Sequence, residues 1–215
     1  MSALKDHHRH HDDHGHHEPV PQAFDGPVPL TTQAAEGLRR RRFTVAEIEA
    51  MVEAGIMEED ERVELIGGEL VPMSAKGIRH ERLKTFLMME LARKLPDHLA
   101  FTPETTFRLS EDTFLEPDFA LYDKADGLEG LNGATCLLAI EVGDSSLAYD
   151  RGRKAAIYAA FGLRELWVVD AVRLQTRILR EPTPTGYRRV IDHDADAALS
   201  PDAIRSLSLR LADFS

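Results

Sequence analysis

Leu115-Glu116-Pro117-Asp118-Phe119-Ala120, then Cys136-Leu137-Leu138-Ala139-Ile140-Glu141-Val142, then Asp150-Arg151-Gly152-Arg153-Lys154 is the stretch on which the fold turns. The run from Cys136 to Val142 is short, apolar and interrupted only by Glu141, the pattern of a strand buried on both faces. A helix is expected from about Asp150 to Phe161, stopped by Gly162, and Leu166-Trp167-Val168-Val169 makes another short apolar strand. Strand, helix, strand implies a crossover, and with it a mixed sheet flanked by helices. Asp118 and Glu141 then stand on neighbouring apolar strands, with Lys154 on the next element able to swing back toward both. Two acids that can hold a metal and one cation make a set suited to phosphodiester chemistry.

Upstream, Thr44 with Glu47 forms a capping box, and Val45, Ile48, Met51 and Val52 give a helical stripe to about Ala54. Arg62–Ile66 and Glu69–Met73 flank Gly67-Gly68, whose tolerance of positive φ suits a tight hairpin. Ile78 to Leu95 carries Leu83, Phe86, Leu87 and Leu91 at helical spacing and stops before Pro96. Strands are expected over Phe101–Leu109 and Phe114–Tyr122. Thr176–Leu179 and Arg188–Ile191 form a last hairpin around Pro184 and Gly186.

Residues 1 to about 38 differ in kind. His7, His8, His10, His11, His14, His16 and His17 precede a Pro-rich stretch from Pro19 to Pro29, a composition too polar to bury a core. This segment is expected to be a disordered tail, with one domain from about 39 to 215. Its imidazoles suit nickel, zinc or copper but lack the spacing of a structural zinc site.

Net charge −11 argues against a protein that coats nucleic acid, which needs clustered Lys and Arg, but leaves room for a local basic rim. Arg39–Arg42, Arg151 with Arg153, and Arg188 with Arg189 are the candidates, although such patches are more often a solvated surface. The single cysteine, Cys136, excludes an internal disulfide and fits a reducing cytoplasm. No apolar run reaches membrane-span length, and no membrane partner is expected.

The sequence closely resembles the Uma-type restriction endonuclease family, a bacterial group within the PD-(D/E)XK nuclease superfamily. The likeness is carried by Leu115–Ala120, by Ala139–Val142 with Ser145-Ser146, and by Asp150, Lys154, Tyr158, Gly162 and Glu165–Asp170. Glu61–Leu70 and His80 match its N-terminal half. The resemblance implies an α/β (α+β) fold with a restriction-endonuclease-like core, preceded by an N-terminal helix and β-hairpin. It implies hydrolysis of nucleic acid, DNA foremost, by a Mg2+-activated water, with Mn2+ as a substitute, and self-association as a homodimer or higher oligomer. Asp118, Glu141 and the backbone carbonyl of Val142 would be the metal ligands, an all-oxygen set of the kind a hard cation prefers. In the superfamily a lysine usually stands two positions after the Glu; here that position is Gly143, and the family's lysine on the following helix corresponds to Lys154.

Three accessory positions are open to two readings. Asp150, four residues before Lys154, pairs with the ammonium or caps the helix. Glu64 supplies a further acid or is a solvated strand carboxylate. His80 lies on the inward face of its helix, as a site contact or as a core side chain. Tyr158 and Trp167 read as packing residues. A non-catalytic nuclease-like module for oligomerisation or nucleic-acid binding is the competing interpretation of the whole chain.

Overall fold

The structure, a computed structural model, describes residues 41–58 and 60–214. The expected disordered tail, its histidines, and Arg39 and Arg40 lie outside the described residues. Residues Arg41–Ser215 cluster as one unit.

Helix α1 (Val45–Glu53) begins where expected, because Thr44 and Glu47 satisfy each other's backbone N–H groups in a full capping box. Its buried Val45 and Ile48 pack with Met57, Leu65 and Phe114. Strands β1 (Val63–Ile66) and β2 (Glu69–Pro72) pair antiparallel about Gly67 and Gly68. Both glycines have positive φ, 57° and 81°, as the sequence requires of such a hairpin. A Cβ on Gly68 would also fall 2.5 Å from Cβ of Arg42, whose guanidinium donates to the Gly67 carbonyl and pairs with Asp112. Arg42 thus clips the hairpin in place while its side chain stays largely exposed.

Helix α2 (Ile78–Lys94) follows, with Leu83, Leu87 and Leu91 fully buried on one face. Next come β3 (Leu99–Pro103), β4 (Phe107–Ser110), β5 (Thr113–Leu115) and β6 (Phe119–Asp123). Here the expectation of two long strands fails. Each is broken in the middle, and the halves belong to different sheets. Glu104, at φ 47°, breaks the first; Pro117, which has no N–H to give a ladder, stands in the break of the second.

The remaining elements are β7 (Leu138–Gly143), a helical segment, β8 (Glu165–Asp170), β9 (Gln175–Thr183) and β10 (Gly186–His193). The helical segment starts earlier than expected, with α3 (Leu147–Tyr149), passes through a π-helical turn at Asp150–Lys154, and ends in α4 (Ala155–Ala160). Gly162, at φ 81°, lies just beyond its end.

The single expected sheet is two. One is antiparallel in the order β2-β1-β5-β4; the other is mixed in the order β10-β9-β8-β7-β6-β3, with β7 and β8 parallel. That parallel pair is the crossover inferred from the sequence, and its helices pack on the sheet. The α+β class with a mixed sheet, an N-terminal helix and a hairpin stands as read.

Alternation along β7 sorts its side chains. Leu138, Ile140 and Val142 join α2's leucines and Trp167 in one core, while Ala139 joins Tyr158, Ala155 and Val168 in another. Glu141 shares parity with Ala139 and so faces the α3–α4 side.

Gly68→Ala combines a left-handed φ with a backbone collision at Arg42. It is expected to lower unfolding free energy by about 2 kcal/mol or more, measured by urea denaturation, whereas Gly55→Ala, with open space around its Cβ position, should lose only the smaller conformational share.

Candidate active site

A cleft of about 370 Å³ opens where the two sheets meet, and Glu64, His80, Asp118, Glu141, Asp150 and Lys154 all line it. Val142 lines it too. The structure therefore brings the seven candidate site residues read from the sequence to one place. What puts them there is strand register. Phe119 pairs with Ile140, so Asp118, one position before β6, stands across from Glu141. The Val142 N–H donates to Asp118 Oδ2 at 2.8 Å, fixing the two acids relative to one another.

Lys154 arrives through the π-helical turn. A turn of this kind widens the helix locally and recurs at functional sites. Its ammonium lies 2.9 Å from Glu141 Oε1 and 2.7 Å from Glu64 Oε1. One turn on, in α4, the Tyr158 hydroxyl donates to the same Glu141 oxygen at 2.6 Å. Glu64, Glu141 and Lys154 are 2%, 3% and 3% exposed, which removes the solvated-strand reading of Glu64. The Tyr149 hydroxyl donates to its other oxygen at 3.1 Å.

Position 143 is sterically closed. A Cβ on Gly143 would lie 2.9 Å from Leu147 Cδ1, 3.0 Å from Leu147 Cα and 3.1 Å from Asp150 Oδ2. There is no room for a side chain two residues after Glu141. The helix that blocks that position is the one that carries Lys154.

Asp150 is not the N-cap of the helical segment, since its φ of −63° and ψ of −43° place it within the helical run. Its carboxylate accepts from the Ser146 hydroxyl at 2.7 Å. His80 presents Nε2 to Asp118 Oδ2 at 3.1 Å and Nδ1 to Glu81 at 3.1 Å, so it contacts the site directly.

Sequence reasoning missed three contributors. Tyr158 was read as packing alone; its place four residues after Lys154 was the available signal. Tyr149 and Lys76 carried none, because Lys76 lies in the irregular connection between β2 and α2. Lys76 Nζ donates to Asp118 Oδ1 at 2.9 Å.

The two candidate ligands differ in electrostatics. Burial alone would raise Asp118, but the hydrogen bond from His80, the Lys76 ammonium and the Val142 N–H outweigh it and hold its carboxyl down to about 2. Burial pushes Glu141 up to about 8; Lys154 opposes this, while the Asp150 and Asp118 carboxylates reinforce it. Burial would lower Lys154, yet Glu141 and Glu64 override it and raise it further. The cluster holds more acid than base, so positive charge added at the cleft is favoured.

Among the described residues no three His, Cys, Asp or Glu side chains form a metal-holding group. A centre built from side chains alone is thus not formed. Two carboxylates at facing register positions do fit Mg2+, which takes one or two carboxylates and keeps its waters. Among the described residues no helix is long and apolar enough to cross a membrane.

This arrangement defines a nuclease-like α+β protein. A crystal structure described as a putative nuclease belonging to DUF820 from Anabaena variabilis has the same fold, at TM-score 0.60 and 15% identity, covering 80% of this chain and 97% of that one. Residues 45–212 match the family described as "Uma2: Putative restriction endonuclease", and the chain belongs to that family. No curated relative matches it.

Burial holds the Glu141 carboxyl above its ordinary value of 4.5 in the folded chain, even with the Lys154 ammonium beside it. Its share of stability is therefore complete below 4.5 and lost as pH rises through about 8. Asp118 behaves oppositely, its share present above 3.8 and lost as pH falls through about 2. In chelator, the melting temperature is expected to fall from pH 5 to pH 9, and Glu141→Gln should flatten that slope; an unchanged slope in the variant would remove Glu141 as its cause.

Proposed function

We propose that the protein is a metal-dependent endonuclease of the PD-(D/E)XK kind that hydrolyses phosphodiester bonds in DNA. The observation carrying this reading is the Lys154 ammonium 2.9 Å from Glu141, with Asp118 across the strand pair, all in one cleft. Asp118, Glu141 and the Val142 carbonyl would hold Mg2+, or Mn2+ in its place. A bound divalent ion supplies a water of lowered pKa and offsets charge growing on the phosphate.

The chain's own residues perform the positioning. His80 and the Val142 N–H orient Asp118. Tyr158 holds Glu141 toward the cleft, and Glu64 holds Lys154 so that its ammonium directs the attacking water or meets the developing anion. Buried in this way, the ammonium acts in a medium of low dielectric, where its charge is worth more than in water. Exposed Arg153, beside Lys154 on the same helical segment, offers a contact for a neighbouring backbone phosphate. Action in the reducing cytoplasm fits the lone, buried Cys136, and a homodimer would let two such clefts act on paired strands.

Purified protein incubated with plasmid, single-stranded DNA and RNA in Mg2+ or Mn2+ tests this. Wild type is expected to cut DNA, with Asp118→Ala and Lys154→Ala slower by about 100-fold or more and Tyr158→Phe by about tenfold. Equal cleavage by wild type and both alanine variants would assign the activity to a contaminant. Absence of cleavage and of Mg2+ binding would favour the non-catalytic module.

A further inference from the structure

Lys76 reaches the site from an irregular segment. It sits between β2 and α2, and its flanking residues Ala75 and Gly77 also line the cleft. Asp118 has two oxygens to offer a cation. Oδ2 is engaged by the Val142 N–H at 2.8 Å and by His80 at 3.1 Å. Oδ1 is engaged by Lys76 at 2.9 Å, with His80 Nε2 at 3.0 Å. The ammonium thus holds the oxygen that strand hydrogen bonding leaves for a ligand. Its side chain is 12% exposed and that of Asp118 5%, so solvent does not screen the pair to insignificance.

The same ammonium pairs with Glu104, the residue at φ 47° where the first long strand breaks. Glu104 also takes Lys84 at 3.1 Å and Arg62 at 3.8 Å. Lys76 therefore has a second seat on Glu104 that it keeps if it lets go of Asp118. An irregular connection between two elements gives the backbone freedom for such a shift.

We propose that Lys76 is an internal counter-cation that occupies Asp118 and competes with a divalent ion for it, with Glu104 as the seat onto which it is displaced. This rests on the metal-dependent reading above and adds a regulatory property to it. Lys76 sets the concentration at which the cleft loads. With one ammonium and one divalent ion exchanging at Asp118, occupancy responds to free cation more weakly than the carboxylates alone would give.

Calorimetric titration of the full chain with Mn2+ at pH 7 tests the competition, comparing wild type with Lys76→Met, Lys84→Met and Asp118→Asn. Asp118→Asn isolates heat arising elsewhere, including at the N-terminal histidines. Lys84→Met removes the same charge and also touches Glu104, but does not contact Asp118. Lys76→Met is expected to bind Mn2+ about tenfold more tightly than wild type, the scale of one charge-assisted hydrogen bond no longer competing. Lys84→Met should stay within about twofold, since its charge acts only at longer range. Mn2+ should also raise the melting temperature of Lys76→Met more than that of wild type, as tighter binding to the folded state requires.

Equal or weaker Mn2+ affinity in Lys76→Met would overturn the competition while leaving the metal site intact, provided wild type binds and Asp118→Asn does not. Equal tightening in Lys76→Met and Lys84→Met would reduce the effect to general charge and also overturn it. Unchanged Mn2+ affinity with weakened DNA binding would reassign Lys76 to the substrate. Absence of Asp118-dependent binding in all variants would overturn this proposal and the metal reading together.

Discussion

The buried ammonium of Lys154, held between Glu64 and Glu141, is the interaction to which the rest of the site is fitted. A buried charge is tolerated only with partners, and these partners come from different sheets: Glu64 from β1 of the four-stranded sheet, Glu141 from β7 of the six-stranded one. Removing either acid would leave the lysine under-compensated, and removing the lysine would leave two carboxylates facing each other in a poorly solvated cleft. The two sheets are thus joined at their meeting point by an ion triad as well as by apolar packing. Tyr158 donates to the Glu141 oxygen that Lys154 also contacts, and Tyr149 satisfies the other oxygen of Glu64.

The second constraint is where the chain changes sheets. β3 continues into β4, and β5 into β6, as a long antiparallel ribbon that breaks at Glu104 on one side and at Pro117 on the other. A break in one strand alone would leave ladder groups unpaired in its neighbour. Broken together, both strands turn, and Asp118 emerges at the corner with its carboxylate lining the cleft. The π-helical turn does the corresponding work on the other side of the cleft, setting Lys154 and Tyr158 against one acid. Strand corner and helix irregularity are departures from regular structure, and both occur at the candidate site.

Much of this was legible in the residues. The Thr44–Glu47 box, the Gly67-Gly68 hairpin, the leucine stripe of α2 and the apolar run of β7 are local signals, each set by the chemistry of a few neighbours. Asp118, Glu141 and Lys154 could be grouped because they flank consecutive elements whose crossover is topologically constrained. Tyr149 and Lys76 could not, since nothing in their own neighbourhoods marks them. Asp150 was ambiguous for the opposite reason: good capping chemistry near a helix start is local, whereas the true start at Leu147 depends on how the segment packs over Gly143.

The sequence by itself determined most of the elements, the parallel crossover and which acids and cation share the cleft, because hydrophobic period, turn chemistry and charge spacing act over a few residues. Only the tertiary structure decided that two long strands are four short ones in two sheets, that Glu64 is buried against Lys154, and that Lys76 reaches Asp118. Those outcomes depend on registers and contacts between segments far apart in the chain. Their energies come from desolvation and partner geometry, which no window of sequence contains.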